Sequence, residues 1–174
     1  MAKWNIDLSH SGVQFSVRHM VISKVRGRFT RFTGAIDFDA AAPASATIRA
    51  SIEAGSIDTS EAKRDGHLRS AEFLDVDKFP AITYASKSIT PAGEGRFQVT
   101  GDLTLHGVTR EVVLDAEYLG AGKDPWGAQR AGFAARTRID RKDFGLKWNQ
   151  LLEAGGVLVG ENIDIELEIE AVAA

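Results

Sequence analysis

Val157-Leu158-Val159-Gly160-Glu161-Asn162-Ile163-Asp164-Ile165-Glu166-Leu167-Glu168-Ile169-Glu170-Ala171-Val172 alternates apolar and acidic side chains almost to the end of the chain. Val157, Val159, Ile163, Ile165, Leu167 and Ile169 share one parity, Asp164, Glu166, Glu168 and Glu170 take the other, and Glu161 breaks the pattern. A period of two belongs to a strand, whose successive side chains point to opposite faces, and not to a helix. One face is therefore buried and the other wet.

The same period recurs upstream. Val13, Phe15 and Val17 oppose Gln14, Ser16 and Arg18, and Ala46, Ile48, Ala50 and Ile52 oppose Thr47, Arg49, Ser51 and Glu53. Phe97, Val99, Leu103 and Leu105 form one face, as do Val112, Leu114, Ala116 and Tyr118, and as do Ala131, Phe133, Ala135 and Ile139. Eight strands result, at 5–19, 25–38, 46–54, 81–89, 97–105, 112–119, 130–139 and 157–172, joined by turn-like segments such as 120–127. Several exceed the usual strand length and would extend for roughly 35 Å. Between Phe29 and Phe32 the apolar parity flips, which predicts an extra bulge residue at Thr30-Arg31. Residues 59–71 do not alternate. Thr59 as an N-cap and Asp65 four residues before Arg69 predict a short helix there, made marginal by Gly66.

An eight-stranded antiparallel sheet closes into a barrel that either packs its own interior or holds one small ligand. Ala46, Ala50, Ala54, Gly101, Ala116, Ala131 and Ala135 are small inward positions, and because interiors pack to crystal density they favour a cavity over a filled core. Its walls carry almost no charge, so the fitting guest is a long apolar molecule.

The chain has 174 residues, 44% hydrophobic and 26% charged, with no cysteine and a net charge of −3. It reads as one domain, 1–174. The charge argues against a phosphate-backbone binder such as a nucleic-acid protein, and zero cysteines exclude thiol chemistry and disulfides. The start shows no signal-peptide run, so the expected location is cytoplasmic, or periplasmic if a leader has been removed. Five bases and no acid lie between Leu8 and Ile36, and five acids and no base lie after Val157. Facing charges at a closing seam would support a barrel. The rival reading, a basic patch on an anionic membrane, lacks a dense polybasic cluster. No nucleophile elbow, Walker loop or His-Glu-x-x-His helix is present. His10, His19, His67 and His106 are dispersed, so only tertiary coincidence would assemble a metal site.

Asp7-x-x-His10-Ser11 with Phe15-Ser16-Val17-Arg18-His19, Val25-x-Gly27-x-Phe29, and Asp58-Thr59 leading to Arg64-Asp65-x-His67-Leu68 form an ordered set. Phe73-Leu74-Asp75 with Phe79-Pro80, Gly101-x-Leu103-x-Leu105-x-Gly107-Val108-Thr109 and Arg141-x-Asp143-Phe144-Gly145 complete it. Over essentially its whole length the chain resembles the YceI-like, polyisoprenoid-binding family. The resemblance implies an all-β, extended, lipocalin-like eight-stranded antiparallel barrel with a helix beside it. The lumen would hold an isoprenoid chain or isoprenoid quinone, with no cofactor and no settled reaction. The expected lining is Phe15, Val17, Phe29, Ile52, Leu68, Phe73, Leu103, Phe133 and Phe144, with His19 and His67 at a lipid head group. Asp65, His67 and Arg69 would order the mouth. Two other readings stay open: a lipid-modifying hydrolase or isomerase using His67 and Asp65, and a stress-related interaction protein with a filled barrel. Transient membrane contact and a homodimer also stay open.

Overall fold

The structure, a computed structural model, describes residues 2–39, 41–150 and 158–174. The alternating segments form β1 (Ala2–Ile6), β2 (Gly12–His19), β3 (Ser23–Phe29), β4 (Phe32–Phe38), β5 (Thr47–Glu53) and β6 (Ile57–Asp58). After the helix α1 (Ala62–Arg69) come β7 (Ala81–Pro91), β8 (Arg96–Leu105), β9 (Val108–Lys123), β10 (Gln129–Asp140) and β11 (Val159–Ala173). All pairs are antiparallel, in the order β1-β4-β5-β7-β8-β9-β10-β11-β2-β3-β6, and β1 also pairs with β11, which closes the sheet into a barrel.

Eleven segments make eight staves because three staves are broken. β1 and β2 share one stave along β11, interrupted at Leu8–His10, where the Asp7 carboxylate accepts the Ser9 N–H at 3.0 Å and turns the chain. β3 and β4 share the next, and β5 and β6 a third, bent at Ala54–Ser56. The predicted parity flip is present, since Phe29 and Phe32 both face inward. Its cause is a break in the strand at Thr30-Arg31 and not a single bulge residue. The Thr30 N–H reaches the Ser56 carbonyl and the Arg31 carbonyl accepts from Glu53 N–H, so the neighbouring break is matched across the ladder. The interruption of alternation at Glu161 appears as a register shift between Val159 and Ile163 against β2. Val157, which opens the predicted last strand, lies outside the described residues. β9 runs to Lys123 and not to Leu119, and the turn is confined to 124–128.

The helix is shorter than the sequence predicts and is capped by a different residue. Glu61, not Thr59, is the N-cap, accepting from the Lys63 and Arg64 N–H groups. The Thr59 hydroxyl is buried and donates instead to Asp65 Oδ1, which also accepts the Thr59 N–H at 2.9 Å. Asp65 therefore does not pair with Arg69. Arg69 donates to the Gly55 and Ile57 carbonyls at 2.9 and 3.1 Å, strapping α1 to the β5–β6 stave.

The seam closes as expected, but not by the expected charges. The acids of β11 pair mainly with arginines of β10: Arg138 with Asp164 at 2.7 Å and Arg130 with Glu170 at 2.8 Å. β2 offers only Gln14 and Ser16 opposite Glu166 and Asp164. Ion pairs near the surface contribute little, so closure rests on the ladder and the inward apolar face.

Candidate functional site

The inward face of the barrel encloses an apolar cavity of about 680 Å³. Phe15, Ile52, Leu103, Ile165 and Leu167 all face inward yet are only partly buried, because they look onto open space. Four of the seven small inward positions, Ala46, Ala50, Ala116 and Ala135, line it. Ala54 and Ala131 are packed away at 1% and 2% exposure. Gly101 is small for a different reason: the Tyr84 ring lies over it, and a Cβ there would come within 2.5 Å of Tyr84 Cζ. Gly27 likewise makes room for the ring of Phe15, its cross-strand partner.

The two ends differ. At one, the rings of Phe38, Tyr118 and Phe133 cluster in tilted and edge-on contacts, at centroid distances of 4.9 to 5.5 Å, and line the lumen. Arg130 ties that end together, donating to Asp124 at 2.8 Å, Asp7 at 2.7 Å and Glu170 at 2.8 Å. Its guanidinium holds the Asp7 carboxyl well below the usual carboxylate range and lowers that of Asp124. Asp7, His10 and Glu170 offer ligand atoms within 4.8 Å of one another, and Arg130 Nη1 is the cation shared by the two carboxylates.

At the other end lie several polar lining residues, among them Arg18, His19, Glu61, Lys63, Arg64, His67 and Arg141. α1 forms part of the wall here through Arg64, His67 and Leu68. Arg64 is fixed by two bonds of 2.8 Å to the Thr59 hydroxyl and carbonyl. The His67 ring stands edge-on to Phe73 and Trp148, at 5.0 and 4.7 Å, and its Nε2 meets Glu72 Oε2 at 2.5 Å. Arg141 is 3% exposed and donates to four main-chain carbonyls, of Gly160, Leu146, Trp148 and Val159. Burial pushes its guanidinium below the ordinary arginine value. Midway along the wall, burial raises the Tyr84 phenol to about 12, and its hydroxyl donates to the Val99 carbonyl at 3.2 Å.

Phe15, Val17, His19, Phe29, Ile52, His67, Leu68, Phe73, Leu103 and Phe133 all line this one space. Phe144 does not. It is 1% exposed and sits in the turn Arg141–Phe144, packed into the core cluster that includes Leu105, Ile139 and Leu146, which cover it from the cavity. Of the two residues that the enzyme reading used, His67 meets Glu72, and Asp65 is buried and engaged by Thr59. Asp65 and Arg69 order the mouth structurally, by holding α1. Trp148, Tyr84 and Tyr118 line the cavity without having been singled out as site residues. Trp148 follows Gly145 in a non-alternating segment, where periodicity carries no signal.

A closed antiparallel barrel with an apolar interior, aromatic rings clustered toward one end and a helix in the wall at the other, defines a protein built around an internal cavity. The chain belongs to the YceI-like domain family, whose model matches residues 4–171. It is 41% identical over 164 residues to a UPF0312 protein of Vibrio cholerae, covering 94% of this chain and 82% of that one. Its fold is that of Burkholderia cenocepacia BcnA, with a TM-score of 0.84 at 22% identity over 95% of this chain and 98% of that one. A Saccharophagus degradans domain, described as polyisoprenoid binding and implicated in plant cell wall breakdown, matches over all of both chains with a TM-score of 0.70 at 14% identity.

Proposed function

We propose that the protein is a non-catalytic carrier or store for a long apolar lipid, an isoprenoid chain or isoprenoid quinone, held in the barrel lumen. One observation carries this reading: a continuous apolar cavity of about 680 Å³ whose wall side chains remain partly exposed to it. That volume falls within the usual range of small-molecule sites, roughly 300–1,000 Å³. Benzene occupies an engineered apolar cavity of about 150 Å³, so this lumen has room for roughly 25 carbon atoms. Each buried methylene contributes about 0.8 kcal/mol, so even a partly enclosed chain offsets the cost of immobilising it. Membership of the YceI-like family, and the polyisoprenoid-binding description of the Saccharophagus domain that shares the fold, support the same reading.

Organic extraction of the purified protein followed by mass spectrometry tests it, together with titration by added quinone and polyprenol. Recovery of a prenyl lipid, or saturable binding of an added one, is the expected result. Neither recovered lipid nor binding of either probe would overturn the carrier reading.

A further inference from the structure

We infer that the β2–β3 hairpin tip, Met20-Val21-Ile22, docks on the surface of an anionic phospholipid bilayer and sets the barrel mouth against it. The inference rests on the carrier reading, since an insoluble lipid is loaded and delivered at a membrane.

Three consecutive apolar residues stand 42%, 60% and 81% exposed at this tip. Single exposed apolar residues are ordinary, whereas a contiguous projecting set marks a contact surface. The backbone adds a second, independent sign. Met20 and Val21 have φ of 54° and 66°, in the left-handed region where hairpin turns normally place Asn or Gly. A β-branched residue there is a true outlier. A chain that had only to connect two strands would be relieved by glycine at either position, and backbone strain of this kind concentrates at functional sites.

The charges behind the tip name the partner. Arg18 and Lys24 face each other directly across β2 and β3, an unfavourable placement of like charges. Arg26 follows on the same exposed face. Among the described residues none of the three has a carboxylate within ion-pairing distance. The Asp164 carboxylate feels the charges of Lys24 and Arg18 but is bonded to Arg138, by two bonds of 2.7 and 3.3 Å. A projecting apolar tip backed by cations that form no ion pair is complementary to anionic headgroups above hydrocarbon. Its position is equally specific. His19 and Val25, on either side of the tip, line the cavity, and Met20 N–H donates at 2.8 Å to the carbonyl of Leu158, another lining residue. The opposite end also exposes an aromatic, Trp126, but there Asp7, Asp124 and Glu170 gather around a single arginine.

The test is co-sedimentation of the full chain with phosphatidylcholine vesicles, with and without phosphatidylglycerol, at low and physiological salt. Binding to the anionic vesicles that weakens with salt is expected. Ile22→Asp should lower it by about tenfold or more, and joint replacement of Arg18 and Lys24 by Gln by about fivefold per charge. Val21→Gly should raise the melting temperature while lowering vesicle binding, an opposition that a purely structural tip would not produce. Trp126→Asp should leave vesicle binding unchanged. Absence of binding to anionic vesicles overturns the inference, as does full binding by Ile22→Asp. A concentration-dependent dimer that Ile22→Asp abolishes, without vesicle binding, overturns it in favour of a second copy of the chain. Quinone binding in detergent is measured in parallel: its loss with vesicle binding intact refutes the carrier reading, not the docking surface.

Discussion

Ala135→Trp places an indole in the middle of the lumen. Ala135 stands between Ala116 on β9 and Leu167 on β11, and all three side chains face the cavity. With six ring atoms needing about 150 Å³, the nine of an indole take roughly 225 Å³, a third of the space. Capacity drops from roughly 25 carbons to roughly 17. At about 0.8 kcal/mol per methylene, a chain long enough to fill the native lumen loses up to about 6 kcal/mol, or about four powers of ten in affinity. A chain of roughly 15 carbons loses little, because the remaining space still encloses it. The assay is a competition titration with prenols of increasing length on wild type and variant, with circular dichroism to confirm that the barrel is intact. The expected result is a loss that grows with chain length. An equal loss at every length would mean that overpacking has distorted the wall, which costs about 1–3 kcal/mol. No loss at any length would place the ligand outside the lumen and refute the reasoning.

Arg141→Met removes the side-chain donor from the Gly160, Leu146 and Trp148 carbonyls, while that of Val159 keeps the Asn149 amide, so urea denaturation should show a loss of about 3 kcal/mol or more. A loss under about 1 kcal/mol would show that water replaces the guanidinium there. Tyr84 should ionise later than an ordinary phenol, near pH 12 against 10. Because the native state keeps this proton longer, the stability linked to it is complete below pH 10 and drains away as pH rises through 12. The phenolate absorbance difference between wild type and Tyr84→Phe measures this, and a midpoint at 10 would contradict the burial. Asp7 and Asp124 are depressed by Arg130 first of all, so their contribution is present above the ordinary carboxylate pKa of about 4 and is lost as pH falls. Arg130→Gln should flatten that acid limb in melting temperatures taken across pH, and an unchanged limb would assign acid sensitivity elsewhere.

Periodicity located the wall. Every inward position of β5, β8 and β9 that alternation predicted is on the inside, and ten of the eleven expected lining residues meet in one space. It did not locate the creases, because those depend on hydrogen bonds that no period encodes: the Asp7 carboxylate at Ser9 N–H and the paired breaks at Thr30-Arg31 and Ala54–Ser56. Phe144 was misplaced for a related reason. Residues 141–144 form a turn and not a strand, so alternation does not say which way an aromatic there points, and it packs into the core cluster. The reading of small residues as space was right for Ala50 and Ala135 and wrong for Gly101, where a long-range neighbour, Tyr84, uses the room. The charge seam failed because charge pairing is decided by register, and β10 presents its arginines to β11 in the register that β2 would have needed.

β6 is paired on one edge only, to β3, and beside it the wall continues as α1. That helix has a glycine at its centre with nothing near it and is latched by Thr59 on Asp65 and by Arg69 on two carbonyls. If the lumen carries a lipid, residence time and affinity would be governed by different parts of the molecule: the depth of the lumen would set how tightly the lipid is held, and the free energy of releasing one short helix how soon it leaves. Asp65→Asn should shorten cargo residence and quicken amide exchange across residues 62–69 together, with little change in equilibrium affinity. Unchanged exchange alongside faster release would locate the exit elsewhere.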